Sequence, residues 1–189
     1  MPIPITPHPF QPLTDDEFAL LGRVLPALEG RRARPPADRR RTLDAIFWVA
    51  CSRGPWRALP PEYGRPDTAS RALRRLAASG HLDLLLIHVA NSLPEDVLWR
   101  ALAWRICRAW RRCARVVSLS QLVTAKRIGQ LEALPAAPHH LPDPALSEII
   151  HAEVNRALQA IHDQPPGALL RLGRQLVIAG GRRRYWRLR

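Results

Sequence analysis

The chain has 189 residues, with 29 basic and 16 acidic side chains, a formal net charge of +13 and a pI near 11.4. That length allows one full domain or two small ones, and 47% hydrophobic residues are ample for a buried core, which excludes wholesale disorder. No apolar run approaches the ~18–20 residues of a membrane span, and a charge of this sign favours polyanionic partners, nucleic acid before anionic membrane.

The opening MPIPITPHPF has neither a basic region nor a continuous apolar stretch, so no secretory signal is expected. Cys51, Cys107 and Cys113 cannot all pair and show no metal-finger spacing, which fits free thiols in a cytoplasmic protein. Of the basic residues, 28 are Arg and one, Lys126, is Lys. That ratio fits a GC-rich coding bias and is no sign in itself of bidentate recognition.

Residues 1–12 are punctuated by proline and read as an extended arm. Thr14-Asp15-Asp16-Glu17 is a capping-box pattern ahead of Phe18, Leu21, Val24 and Leu25 at helical spacing, so a first helix is expected over about 15–25. GRRARPP (30–36) is a basic, helix-breaking linker. Asp38 is placed to cap a second helix with Leu43, Ile46, Phe47 and Ala50 along one stripe, ending at Gly54-Pro55. A long turn with four prolines, GPWRALPPEYGRP (54–66), follows; Asp67 or Thr68 is expected to cap a third helix ending at Gly80, and a fourth helix fills about 82–90.

Ser92-Leu93-Pro94-Glu95 reads as a second capping box, opening a helix to about residue 117. A shorter helix over 119–133 and a Pro-rich connector come next. Asp143-Pro144 is a good start for a helix through Leu146, Ile149, Ile150, Val154 and Leu158. The end, LVIAGGRRRYWRLR, fits either a Gly-Gly hairpin or a helix with a basic tail. The expected fold class is all-α, a helix-turn-helix-like N-terminal domain followed by a mostly helical, Arg-rich extension. The expected divisions are 1–12, 13–90, 91–134, 135–142 and 143–189. Residues 1–94 carry 13 basic and 9 acidic side chains (+4), and residues 95–189 carry 16 and 7 (+9).

Two constellations stand out. In the third helix Ala69, Ala72, Leu73 and Leu76 fall within about 100° of arc, while Thr68, Arg71, Arg74 and Arg75 share the other side. A short helix with an apolar back and a three-Arg front suits the reading element of a helix-turn-helix, although a solvated surface face has the same pattern. In the helix after Ser92, Trp99, Leu102, Ala103, Ile106, Trp110, Cys113 and Val117 form a core stripe opposite Arg100, Arg105, Arg108, Arg111, Arg112 and Arg115. Trp104 falls among those arginines, where it is expected to stack on Arg, on a base or sugar, or on a partner.

Residues 13–80 resemble the N-terminal domain of DDE-type transposases from small bacterial insertion sequences, the group typified by insertion sequence five. The resemblance runs through Leu13-Thr14-Asp15-Asp16, Val24-Leu25-Pro26, Arg34-Pro35, Asp38-Arg39-Arg40 and Leu43-Asp44-Ala45-Ile46-Phe47-Trp48. It continues in Pro55-Trp56-Arg57, Leu59-Pro60-Pro61-Glu62-Tyr63-Gly64 and Arg71-Ala72-Leu73-Arg74-Arg75-Leu76. Three departures bear on readout. Arg53-Gly54 replaces the usual Gly-x before Pro-Trp, Ala58 stands for an Asp, and Leu73 and Leu76 replace aromatics.

The resemblance implies binding to double-stranded DNA, with terminal inverted repeats as the natural target. Thr68, Ser70, Arg71, Arg74 and Arg75 would meet the groove. Arg31, Arg32, Arg34, Arg39 and Arg40 would meet backbone phosphates, and the second basic helix would add non-specific affinity. Arg57 could reach a phosphate or pair with Glu62. Trp56 and Tyr63 are expected to staple the Pro-rich turn onto the second and third helices.

The family's next part, an RNase-H-like domain with three metal-binding acids, is not legible after residue 94, where Glu95, Asp96, Glu132, Asp143, Glu148, Glu153 and Asp163 sit in helical or Pro-rich context. No catalytic activity and no cofactor are therefore expected of this chain. Glu148-x-x-His151 with His162 has carboxylate–histidine spacing without the second such motif that a di-metal site needs. His139-His140 reads as a loop pair, Cys107 and Cys113 as buried thiols, and Ser118 and Ser120 lack a catalytic partner. The competing readings are a transposase fragment partly translated out of frame, a domesticated regulatory protein acting through residues 91–160 with a homodimer as one form, and a membrane-surface protein.

Overall fold

The computed structural model describes residues 5–25 and 38–186. Among these it is all-α: α1 (Asp15–Val24), α2 (Arg39–Ser52), α3 (Pro66–Ala78), α4 (His81–Asn91), α5 (Val97–Cys113), α6 (Leu119–Ile128), α7 (Pro144–Gln159) and α8 (Ala168–Ala179), joined by short 3-10 turns. No described helix is long and apolar enough to cross a membrane. The chain divides into two compact units, the first through Pro135 and the second from Ala136. Residues 91–135 thus pack with the first unit.

Several helix ends form as their residues dictate. The Thr14 hydroxyl accepts from Glu17 N (3.2 Å) and the Glu17 carboxylate accepts from Thr14 N (2.9 Å), a complete capping box. Asp38 caps α2 through Arg41 N (2.9 Å), and Asp143 caps α7 through Leu146 N (3.1 Å), with Pro144 in the first turn.

Two expected caps are corrected. Ser92 does not open α5; its hydroxyl donates to Val89 O (2.8 Å), closing α4, while Asp96 accepts from Leu93 N (2.7 Å) and α5 starts at Val97. A serine can satisfy a trailing carbonyl as readily as a leading amide, and here Pro94 delays the next helix. Neither Asp67 nor Thr68 caps α3, which begins one residue earlier with Pro66 in its first turn and no side-chain cap. The long helix also stops at Cys113 because Ser118 and Gln121 form a separate capping box that starts α6.

The first unit is organised around α5, which packs on α2 and α4 and also touches α1 and α3. All nine residues from Leu102 to Trp110 are buried, so this helix has no solvent face over that stretch, as befits a helix enclosed on all sides. Leu102, Ile106 and Trp110 meet a core that includes Leu43, Ile46, Phe47, Leu73, Leu82, Leu85 and Leu86. Each such fully buried side chain stabilises by about 1.5–3 kcal/mol.

The middle of the Arg stripe of α5 is therefore not the phosphate-binding face expected of it, although Arg100 and Arg115 towards its two ends are exposed. Arg105 forms a buried ion pair with Glu17 and donates to Gln11 O (3.1 Å). Arg108 reaches Ala50 O (3.4 Å), and Arg112 reaches Gly54 O (2.9 Å), so both supply donors to the carbonyl end of α2 and the turn beyond it. Burial lowers the Arg108 pKa below its ordinary value, with repulsion from Arg111 and Arg53 adding to it. Trp104 is buried too, with the Arg108 guanidinium 5.5 Å from its ring centroid. Of its three expected partners, the arginine is the one present.

In the second unit α7 and α8 pack as a pair. Among the described residues of the last segment no hairpin forms; α8 runs to Ala179 and a 3-10 turn covers Arg183–Tyr185.

Two stability predictions follow from this packing. Replacing Arg105 with Ala leaves a buried carboxylate unpaired, so urea unfolding should show a loss of about 3–5 kcal/mol, whereas Arg115→Ala, at an exposed position, should stay within about 0.5 kcal/mol. Asp44 is buried on α2 and accepts from Leu13 N (2.8 Å). Burial raises its pKa above 3.8, outweighing the Leu13 hydrogen bond and the Arg40 charge that lower it. Ionised Asp44 is thus disfavoured in the fold, and its penalty grows as pH rises through the ordinary value towards the raised one. Asp44→Asn keeps the acceptor, so its stability relative to the parent should increase over that window in pH-dependent urea titrations.

Candidate nucleic-acid interface

α3 presents an open basic face on the first unit. Ala69, Ala72, Leu73, Leu76 and Ala77 are buried, whereas Thr68, Arg71, Arg74 and Arg75 are exposed and Ser70 is half-buried. None of these three guanidinium groups forms a hydrogen bond or ion pair with a described residue. The helical periodicity thus sorts the residues as the sequence implied, leaving three guanidinium groups on a common side.

The helix is held rigidly behind that face. It packs on α2, α4 and α5 and on the 3-10 turn at Trp56–Ala58. At its C-terminal end Gln121 of α6 donates to Ala77 O (2.9 Å) and to the Asp83 carboxylate (2.6 Å), and Asp83 also accepts from Trp110 Nε1 (2.7 Å). Asp83 therefore joins α4, α5 and α6 beside the end of α3. Sequence reading missed this hub, because one acid in an apolar run offers no periodic signal.

The Pro-rich turn ahead of α3 packs on α3 through Trp56–Ala58 and on α2 through Pro61–Tyr63, as expected, and its two aromatic rings find further partners. Trp56 lies under the Arg112 guanidinium, 5.1 Å from its centroid, and Tyr63 meets Phe10 edge-on at 5.5 Å. Arg41 donates to Pro61 O (2.9 Å) and Glu62 O, tying the turn to α2. Arg57 is exposed and makes no ion pair with Glu62.

The proposed phosphate contacts fall into two groups. Arg39 donates to Leu25 O, and Arg40 donates to Leu13 O and pairs with Asp15, so both brace α1 against α2. Arg31, Arg32 and Arg34 lie outside the described residues.

With this geometry in place, relatives can be compared. Residues 13–86 match the family model described as "Putative transposase of IS4/5 family (DUF4096)". The chain belongs to this family. It is also 30% identical over 102 residues to the "Uncharacterized protein y4sN" of Sinorhizobium fredii (strain NBRC 101917 / NGR234), a stretch covering 54% of this chain and 80% of that protein. No solved structure matches. The transposase-family match starts at Leu13, whose amide Asp44 accepts, and ends within α4, so it contains α3 and its exposed face.

Other chemistry is sparse. Among the described residues no group of three or more His, Cys, Asp or Glu is arranged to hold a metal ion. Glu148, His151 and His162 are exposed. All three cysteines are free; burial pushes the Cys107 and Cys113 thiols up to about 12 and Cys51 up to about 11. Thiolate is the reactive form, so at pH 8 the native protein should react only slowly with a disulfide-forming aromatic reagent, and unfolding in guanidinium should release three fast-reacting thiols.

Proposed function

We propose that this transposase-family chain binds double-stranded DNA through α3, whose exposed arginines enter the major groove while its buried face rests on α2, α4 and α5. The observation that supports this most directly is the unpaired, same-sided display of Arg71, Arg74 and Arg75 on a helix whose back is fully packed. A planar guanidinium donates two parallel hydrogen bonds to guanine O6 and N7, which gives the groove-facing arginines a means of reading sequence. Thr68 and Ser70 at the first turns are placed to add hydroxyl contacts, as in helices that enter the groove by their N-terminal residues.

Backbone contacts fall to Arg57 and to Arg65, which precedes α3; both are exposed. Arg31, Arg32 and Arg34 keep this role on sequence grounds alone. Arg39 and Arg40 act first as braces, so their removal should loosen α1 before it weakens DNA binding. The reading assigns recognition, not strand cleavage, to these residues, and places the chain with DNA in the cytoplasm. Terminal inverted repeats present the same site twice, so it extends to two chains on paired ends, countable by sedimentation of the complex.

Fluorescence anisotropy with labelled duplexes carrying the inverted repeats, set against shuffled duplexes, tests the assignment. Each lost base contact costs about 1–3 kcal/mol, so Arg74→Ala with Arg75→Ala should weaken binding to the repeats at least about tenfold and narrow the preference over shuffled sequence. Both side chains are exposed, so thermal unfolding should be nearly unchanged. Equal affinity for parent and variant would remove α3 from the interface.

A further inference from the structure

The second unit carries a basic platform that the α3 reading does not use. Two short 3-10 turns, Pro138–His140 and Arg183–Tyr185, lie side by side. The backbone joins them: Arg182 N donates to His140 O (2.8 Å), and nearby Asp143 N donates to Ala179 O (2.8 Å). The Trp186 side chain is buried, and its indole N–H also reaches His140 O (3.4 Å). Gly181 has φ +77°, and a Cβ there would lie 2.7 Å from Pro142 N, so the two segments cross at a separation only glycine permits. This terminal segment is docked structure and not a loose tail.

Its side chains are cationic and aromatic. Arg183 lies over the Trp186 ring at 5.6 Å and Arg184 over the Tyr185 ring at 4.9 Å. Tyr185 stacks on His140 at 4.3 Å and 21°, and His139 adjoins His140 at 4.1 Å. Arg183, Arg184, Tyr185 and His139 are exposed. Among the described residues no acidic side chain pairs with Arg182, Arg183 or Arg184. The pKa directions of the two rings agree with this. Arg184 lowers the Tyr185 pKa, chiefly through its charge, with Arg182 adding to it. His140 is lowered by desolvation first and then by His139, Arg182 and Arg184.

We infer that Arg182, Arg183 and Arg184, carried beside the stacked His140–Tyr185 rings and the buried Trp186, form a second DNA-binding surface that grips backbone phosphates without reading sequence. The inference rests on the DNA-binding reading above and adds a contact in a different unit. Phosphate is the fitting ligand because uncompensated guanidinium groups donate forked hydrogen bonds to its oxygens. Base stacking is the poorer fit, since Tyr185 is already engaged by His140 and Arg184. The ring contacts hold the Arg183 and Arg184 guanidinium groups in place, so less side-chain entropy is lost on binding.

The test is anisotropy of the full chain on a random-sequence duplex across a salt series. Three phosphate contacts contribute about 2.7 to the slope of log K against log salt. The triple change Arg182→Ala, Arg183→Ala and Arg184→Ala should therefore flatten the slope by about 2–3 and lower low-salt affinity at least about tenfold. The corresponding triple Lys variant should restore most of both, which separates charge from folding. An unchanged slope in the triple Ala variant, with parent binding intact, overturns this inference and leaves α3 untouched. A parent chain that binds no duplex overturns the DNA reading itself. Loss of binding to vesicles of anionic phospholipid, with the DNA slope unchanged, would reassign the patch to a membrane surface.

Discussion

The buried pair between Arg105 and Glu17 is the constraint on which the first unit depends. Glu17 lies 88 residues from its partner and serves two purposes, since one carboxylate oxygen closes the capping box of α1 and the other receives Arg105. The same guanidinium holds Gln11 O, so arm, helix start and central helix meet at one charge. Two ions taken out of water tolerate little displacement, because each is stabilised only while the other is in place. Asp44 and Arg40 of α2 bond the amide and carbonyl of Leu13 beside it, so the chain entering α1 is secured from two helices.

This arrangement changes how the family match is understood. Residues 13–86 end within α4, yet the glutamate of α1 and the last carbonyls of α2 find their donors on α5, beyond that match. The border drawn by likeness to other transposase-family chains is not a border of folding. α5 is also buried throughout its middle, which a helix does only as part of a shared core. A segment that carries no family signature thus completes the one that does.

Much of the fold was legible from periodicity and caps. Thr14, Asp38 and Asp143 announce helices because their side chains satisfy local amides, an effect confined to a few residues. The sorting of α3 into Ala72, Leu73 and Leu76 against Arg71, Arg74 and Arg75 was equally readable. What failed was the sign of burial for arginine. Arg105 and Arg108 share composition with the exposed arginines of α3, and only distant partners, Glu17 and a carbonyl of α2, make them interior. Ser92 failed for a related reason, as one hydroxyl can close a helix or open one. The net charge therefore does not translate directly into basic surface, since Arg105 and Arg108 are buried inside the fold while Arg71, Arg74 and Arg75 face outward.

The crossing at Gly181 carries a consequence for how the second unit can vary. A single hydrogen atom is all the space beside Pro142 admits, and the positive φ adds its own restriction. Nearly every one-letter change in the first two positions of a glycine codon brings in a side chain or a stop. The arginine triplet beyond it can drift among basic residues, but its placement rests on one position that admits no side chain. That glycine, which carries no charge and touches no ligand, is the least replaceable part of the platform.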